Sequence, residues 1–516
     1  MARKWWTLLL ANVAGFVLLL DVSIVNVALP AIQADLDSTL AGLQWVVDAY
    51  VLTLAALLLA AGSLADTFGR RRVFVLGLAL FGLASLACAM AWSPLALGLA
   101  RGAQGVGGAA MFATSLALLS REFAPRERGM AFGILGATTG AALAVGPLVG
   151  GVLSEGLDWR WIFIVNLPVV AVALPLAMTR LVESRNPAAT RFDWPGVVAL
   201  ATFLSALVLA LIQGNEAGWQ SVFILGLLAT SLVSLSLFIM IERRAQSPLL
   251  DLTLLREKSF VGVSVAAFAL AASGFSVLLY LSLYLHNVLG HSAWETGVRF
   301  LPITGAAFVV SPVAGRLSAR VPARVFIGGG LVLVSLGLAL MAGLTPQSDA
   351  GDLLVGSVVV GVGMGLVNPV LLSTAMMVIP PARAGMASGF NNTCRQVGLA
   401  TGIAGLGVLF QAALQNRLED LVGVRLAEEV AGPLASGALV STTDAAVLDA
   451  AREAFVGALD AVLWAAAGVA IAGALAAILL IQVAPAVSRR AAGQHRAANM
   501  GDERVVRSST SAAPTV

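Results

Sequence analysis

Charge is scarce in this 516-residue chain. Asp, Glu, Lys and Arg make up 11 % of it, against about 25 % in soluble domains, which excludes a sizeable water-exposed domain. Lysine is nearly missing: only Lys4 and Lys258 occur, and neither follows a glycine. A phosphate-cradling loop needs Gly-Lys-Ser/Thr, so nucleotide hydrolysis by that route is excluded. The two cysteines, Cys88 and Cys394, stand far apart without Cys-x-x-Cys spacing, which argues against a disulfide or a zinc site. No His/Cys/Asp metal cluster or nucleophile constellation emerges, so neither an enzyme nor a cofactor is expected. The net charge of +3 carries no implication of nucleic-acid binding, because the cations are segregated along the chain.

What is abundant is apolar: 59 % of the residues, with a mean hydropathy of +0.92. Fourteen apolar stretches lie near 7–28, 44–65, 73–92, 95–118, 130–153, 161–180, 194–213, 219–241, 260–285, 297–317, 325–343, 353–378, 387–411 and 456–482. Each supplies the roughly 20 residues that a helix needs to cross about 30 Å of hydrocarbon. With the N-terminus placed inside, the cytoplasmic joints hold 24 of the 31 Lys and Arg, the external joints 4 (Arg160, Arg417, Arg425, Arg452) and the spans 3 (Arg101, Arg299, Arg395). That asymmetry predicts both termini in the cytoplasm. The first stretch follows Arg3 and Lys4 but lacks a small-x-small cleavage site and carries Asp21 and Asn26, so it reads as a span and not a signal peptide. The expected fold is all-α, a multi-pass protein of a bacterial inner (plasma) membrane. The bacterial assignment rests on arginine, alanine and glycine usage.

An internal repeat divides the chain. Gly62-Ser-Leu64-Ala-Asp66-Thr-Phe-Gly69-Arg-Arg71-Arg72 joins spans two and three, and Gly315-Arg-Leu317-Ser-Ala319-Arg-Val-Pro-Ala-Arg324 joins spans ten and eleven. Arg72-Val-Phe is echoed by Arg324-Val-Phe, and Gly105-Val-Gly by Gly361-Val-Gly. The same loops recurring on the same side imply parallel repeats about an axis along the membrane normal. The expected organisation is a six-helix bundle over 1–185, two inserted helices over 186–255, and a second six-helix bundle over 256–485. A long external joint at 412–454, rich in acids among Ala, Leu and Val, suggests short amphipathic helices. A disordered tail follows over 486–516.

The motifs then resemble a known family. Leu20-Asp21-Val-Ser-Ile-Val-Asn26-Val-Ala-Leu-Pro30 is similar to the first-span signature of the fourteen-span drug/proton antiporters of the major facilitator superfamily. The Gly62–Arg72 segment resembles the superfamily's inter-helix loop, and Arg101-Gly-Ala-Gln104-Gly105-Val-Gly107 its arginine motif. Gly140, Gly146, Pro147, Gly150 and Gly151 match the antiporter motif, with Ala142 where glycine is usual. Asp158-Trp-Arg-Trp-Ile-Phe-(x2)-Asn166-Leu-Pro168 and Gly385-Met-Ala-Ser-Gly389-(x5)-Arg395-Gln396-Val-Gly398 also fit that branch. The resemblance implies a major-facilitator fold with fourteen transmembrane helices (6 + 2 + 6), a proton gradient as the energy source, and export of drugs.

Several residues stand out as candidates. Asp21 lies mid-span, where an acid costs at least about 2.5 kcal/mol. Counting 1.5 Å per residue puts Asp21, Asp48 and Arg101 in one layer of the outer half of a cavity. The functional reading is a proton switch in which Asp21 and Asp48 titrate and Arg101 couples; the structural reading is a permanent Asp21–Arg101 pair. Gly62, Asp66, Gly69, Arg70 and Arg71 read as a gating loop. The small residues of span five suggest a smooth face for close helix approach. Asn391, Arg395 and Gln396 form a polar stripe facing a cavity or a gate. Trp45, Tyr50 and Trp92 read as interfacial anchors. The expected activity is antiport of amphipathic, cationic or aromatic compounds outward against protons inward, by a monomer in the lipid bilayer. The alternative is an exporter dedicated to one endogenous metabolite or antibiotic.

Overall fold

Inside hydrocarbon no water is available to peptide groups, so each long apolar run must close its hydrogen bonds within a helix. The computed structural model describes residues 3–482 except 39, 186–191, 246–247, 319, 346, 379–383 and 424–444, and among these it contains helices and no strand. The first half comprises α1 (Arg3–Asp35), α2 (Leu40–Phe68), α3 (Arg70–Ala89), α4 (Pro94–Glu122), α5 (Pro125–Gly156), the short α6 (Trp161–Ile164) and α7 (Asn166–Arg180). Two further helices, α8 (Trp194–Ala217) and α9 (Val222–Arg244), precede the second half. That half runs through α10 (Lys258–Leu270), α11 (Val277–Leu283), α12 (Ala293–Leu317), α13 (Ala323–Leu340), α14 (Leu354–Val378), α15 (Ala384–Val422) and α16 (Ala445–Leu480). Thirteen segments among the described residues are long and apolar enough to cross a membrane, and α5, at 32 residues, is long enough to be a fourteenth.

Local chemistry sets the helix starts. Ser93 accepts from the Ala96 N–H at 3.2 Å ahead of Pro94, and Asp193 accepts from Gly196 at 2.9 Å. Ser292 and Glu295 exchange bonds in a capping box at the head of α12. Between α2 and α3 the chain turns on Gly69, whose φ of 115° is open to glycine and strained for other residues.

One sequence expectation is corrected, and two expected spans gain internal detail. The sixth span is broken at Val165 into α6 and α7. The ninth is a continuous run interrupted by π-helical turns at Ala271–Phe275 and Tyr284–Val288. The flanks of the 412–454 joint are not separate amphipathic helices: α15 continues to Val422 and α16 starts at Ala445. The reason is packing, since Leu414, Leu418, Ala454 and Phe455 are fully buried in one core with the rest of the second half. Residues 424–444 of that joint and the tail after 482 lie outside the described residues.

The repeat has a packing counterpart in the two halves. A methyl group on Gly105 of α4 would strike the Tyr50 carbonyl of α2, and one on Gly107 would strike Gly77 and Phe81 of α3. In the second half Gly361 of α14 meets the Ile303 carbonyl of α12, and Gly363 meets Gly330 and Val334 of α13. Each fourth helix of a half thus slots between two neighbours, because its paired glycines let backbones touch. The inserted α8 packs on both α2 and α15, while α9 packs on α8. Asn215 of α8 donates to the Ala404 carbonyl of α15 at 3.2 Å, and its own oxygen receives the Trp219 indole N–H at 2.9 Å.

Candidate functional site

Five helices of the first half meet in one buried polar network around a carboxylate. Asp21 of α1 is 0 % exposed and Arg101 of α4 is 1 % exposed, and Arg101 Nη1 donates to Asp21 Oδ2. Asp21 Oδ1 accepts from Gln104 Nε2 at 2.8 Å and from Asn166 Nδ2 of α7 at 3.1 Å. Gln104 also donates to Ser85 Oγ of α3 at 2.9 Å and accepts from Arg101 Nη1 at 2.7 Å. Arg101 Nε reaches the Val46 carbonyl of α2 at 3.2 Å. The guanidinium lies 4.2 Å from the Tyr50 ring centroid, and the Tyr50 hydroxyl donates to the Leu18 carbonyl at 3.3 Å. Burying each ion costs several kcal/mol, and only such dense bonding offsets it. Tyr50 is therefore a correction: it is wholly buried under Arg101 and is no interfacial anchor, while Trp45 and Trp92 are exposed as expected.

A cavity of about 300 Å³ lies between the halves, lined from α1, α2, α4 and α5 on one side and from the second half on the other. Leu18, Leu19 and Val22 of α1 line it; Asp21 and Asp48 do not. Both carboxylates are buried, Asp21 in the first-half network behind the wall, so neither is on the described lining of this cavity. Depth along a helix follows from rise per residue, but the direction a side chain points depends on its neighbours. Asp21 and Arg101 do share a level, since they touch. Asp48 is two residues past the Val46 carbonyl that Arg101 reaches.

The polar stripe, by contrast, is on the cavity wall. Asn391, Arg395 and Gln396 all line it. Arg395 Nε and Asn391 Nδ2 are buried and have no hydrogen-bond partner among the described residues, and the Arg395 guanidinium sits 5.5 Å from the Phe112 ring centroid of α4. A cation–π contact of this kind contributes about 0.5–2 kcal/mol, less than the several kcal/mol of desolvation that a buried ion carries. Among the described residues Arg395 is the one charged residue of the lining.

At the arginine-rich face the halves touch. Asp66 Oδ1 takes two bonds from Arg70, at 2.8 and 3.0 Å, and Asp66 Oδ2 accepts from the Met386 N–H of α15 at 3.2 Å. Gly62 is buried within α2. Arg71 donates to the Met178 carbonyl. Glu183, which the sequence did not single out, accepts from the backbone N–H groups of Arg71 and Arg72, both at 3.2 Å. A carboxylate at a helix N-terminus satisfies donors that have no partner within the helix.

The antiporter-motif glycines serve different neighbours. Gly146 lies against Ser23 of α1, Gly140 lines the cavity with no atom within 4 Å of where a Cβ would sit, Gly150 is buried and Gly151 has open space. The Pro147 side chain lies outside the described residues. The close approach between halves falls instead at Gly129 and Gly133 of α5, where a methyl group would strike Gly315 and Ser311 of α12. Gly389 of α15 packs likewise on Leu58 and Leu59 of α2. The sequence carried a signal for this: Gly129-Met-Ala-Phe-Gly133 recurs 256 residues later as Gly385-Met-Ala-Ser-Gly389, at the spacing of the other repeats.

Comparison with known proteins places this geometry in a family. Residues 11–403 match the Major Facilitator Superfamily. The chain is 40 % identical over 414 residues to the multidrug resistance protein Stp of Mycobacterium tuberculosis, covering 80 % of this chain and 77 % of that protein. It is 35 % identical over 422 residues to the tetracenomycin C resistance and export protein of Streptomyces glaucescens, covering 81 % and 78 %. The solved structure of the proton:xylose symporter XylE superposes with a TM-score of 0.61 at 12 % identity, over 93 % of this chain and 96 % of that one, a likeness of fold alone. The chain belongs to the major facilitator superfamily, among its drug- and antibiotic-efflux proteins, and is a multi-pass transporter, not an enzyme.

Proposed function

We propose that the protein exports amphipathic small molecules across a bacterial inner membrane in exchange for protons, by alternating access of the cavity between its two halves. The observation that carries this reading is Asp21: a fully buried carboxylate whose bonds tie α1 to α4 and α7, and through Gln104 to α3. Adding a proton there leaves Arg101 without its counter-charge. Removing one member of a buried pair costs about 3–5 kcal/mol, against about 5.5 kcal/mol to carry a two-state equilibrium from 1:99 to 99:1. Protonation is thus large enough to bias the transporter between states. The chain Asp21–Arg101–Tyr50–Leu18 ends on the cavity wall, which gives substrate and proton a physical link. The contacts of Asp66, Gly129, Gly133 and Gly389 at the arginine-rich face support an outward-facing arrangement with that face cytoplasmic, both termini inside and the single chain supplying both cavity walls.

The test is drug-stimulated proton movement in everted vesicles, with wild type beside Asp21→Asn and Asp48→Asn. Gradient-driven transport is expected to stop in Asp21→Asn. If that variant still couples transport to a pH gradient at full strength, Asp21 is not the coupling acid. The second reading, an exporter dedicated to one compound, is favoured by the tetracenomycin C relative. Transport of a single member of a dye and antibiotic panel would select it.

A further inference from the structure

Among the described residues the cavity wall has one charge, and it is positive. Resting on the export reading above, we propose that the preferred cargo is an amphipathic aromatic anion whose carboxylate or phenolate docks on Arg395 and Asn391. Two donors point to this subsite. Asn391 is 3 % exposed, lines the cavity, and its Nδ2 has no partner among the described residues. One helical turn on, Arg395 lines the same cavity with its Nε buried and unmatched. Positions four apart on a helix lie side by side, so on this proposal the amide and guanidinium N–H groups share one acceptor supplied by the cargo. A buried donor left without an acceptor is costly, and among the described residues no acid lines this cavity to supply one. Two buried acids of the first half are held elsewhere: Asp21 by Arg101, Gln104 and Asn166, and Asp66 by Arg70 and Met386.

The rest of the lining fits the apolar part of such a cargo. Phe112 lies beside the guanidinium, and Phe275 with Leu135, Leu278 and Met364 lines the cavity. Thr139 and Thr304 supply neutral polar atoms, and their hydroxyls are already turned to backbone carbonyls. A cationic head would meet Arg395 with no compensating carboxylate. Cation export by this conformation is disfavoured on this proposal, which keeps the aromatic and departs from the cationic part of the expected substrate class.

The probes are three matched fluorophores: anthracene-9-carboxylate, its methyl ester, and 9-(aminomethyl)anthracene. Binding is read by fluorescence with the full-length protein in nanodiscs, without any gradient. Wild type is expected to bind the carboxylate at least about tenfold tighter than the ester, the scale of one charge-assisted hydrogen bond, and the amine weakest. Arg395→Gln removes that preference and Arg395→Lys keeps part of it, while Asn391→Ala weakens carboxylate binding several-fold with little effect on the ester. Equal or tighter binding of the ester or amine by wild type overturns the proposal, even if the variants fail to fold. So does an undiminished carboxylate preference in a folded Arg395→Gln. Everted-vesicle transport of the same probes separates the two claims. Gradient-driven export without anion preference refutes the subsite and leaves the exporter standing. Anion-selective binding without gradient-driven export supports the subsite and refutes the exporter.

Discussion

Replacing Gly129 by alanine strikes the seam between the halves at its tightest point. A Cβ there overlaps the Gly315 carbonyl of α12, with the Ser318 hydroxyl also in contact. The obstacle is backbone, so no rotamer relieves it, and the helices must separate. Overpacking of a well-fitted contact costs about 1–3 kcal/mol. On the proposed alternating access, that cost falls only on the conformation in which α5 and α12 meet at the arginine-rich face, because the opposite one would part them. The population ratio should therefore move by about 5- to 150-fold toward the state open at that face. Spin labels at exposed Phe68 and Val325, in a background lacking Cys88 and Cys394, report the separation of the two halves by pulsed electron resonance. Alanine at Gly129 is expected to lengthen the mean distance, and alanine at Gly140, which has open space, to leave it unchanged. A Gly129→Ala distribution superimposable on wild type refutes the assignment of this crossing as the closing contact.

Asp66→Asn leaves the buried Arg70 without its counter-charge and is expected to cost about 3–5 kcal/mol, lowering the thermal midpoint; an unchanged midpoint argues that the pair contributes nothing. Asp35, at the end of α1 opposite the arginine-rich face, is held below the ordinary carboxylate range first by the Trp159 indole N–H at 3.1 Å and then by Arg160. Its folded pKa is depressed, so its contribution is fully present above about pH 4 and is lost as pH falls through the lower folded value. Trp159 fluorescence should be flat from pH 7 to 5 and change only in stronger acid. A transition near neutrality contradicts this.

Much of the fold was legible because hydrocarbon punishes exceptions. Apolar runs had to be helices, and an acid in mid-span demanded a cation, so Asp21 and Arg101 could be paired from depth alone. Gly105 and Gly361 were legible as equivalents because a backbone contact tolerates only the smallest residue. Azimuth was not legible. Nothing within α1 says that Val22 faces the cavity while Asp21 faces α4, since that depends on how five helices assemble. Tyr50 looked like an anchor because aromatic residues often end apolar runs, yet here the ring serves Arg101. Glu183 was missed because its partners at the head of α3 lie more than a hundred residues earlier, and local spacing rules do not reach that far. Gly129 was readable, through its echo at Gly385, but only to an eye comparing the fifth helices of the two halves.

The wedge formed by α8 has a mechanical corollary. It leans on α2 and on α15 together, and its Asn215 grips the second of these. A door post fastened beside one edge leaves the other edge free to swing. On the proposed alternating access, the α2–α15 side would serve as the pivot, and the α5–α12 side, where glycine meets glycine and no hydrogen bond crosses among the described residues, would part first.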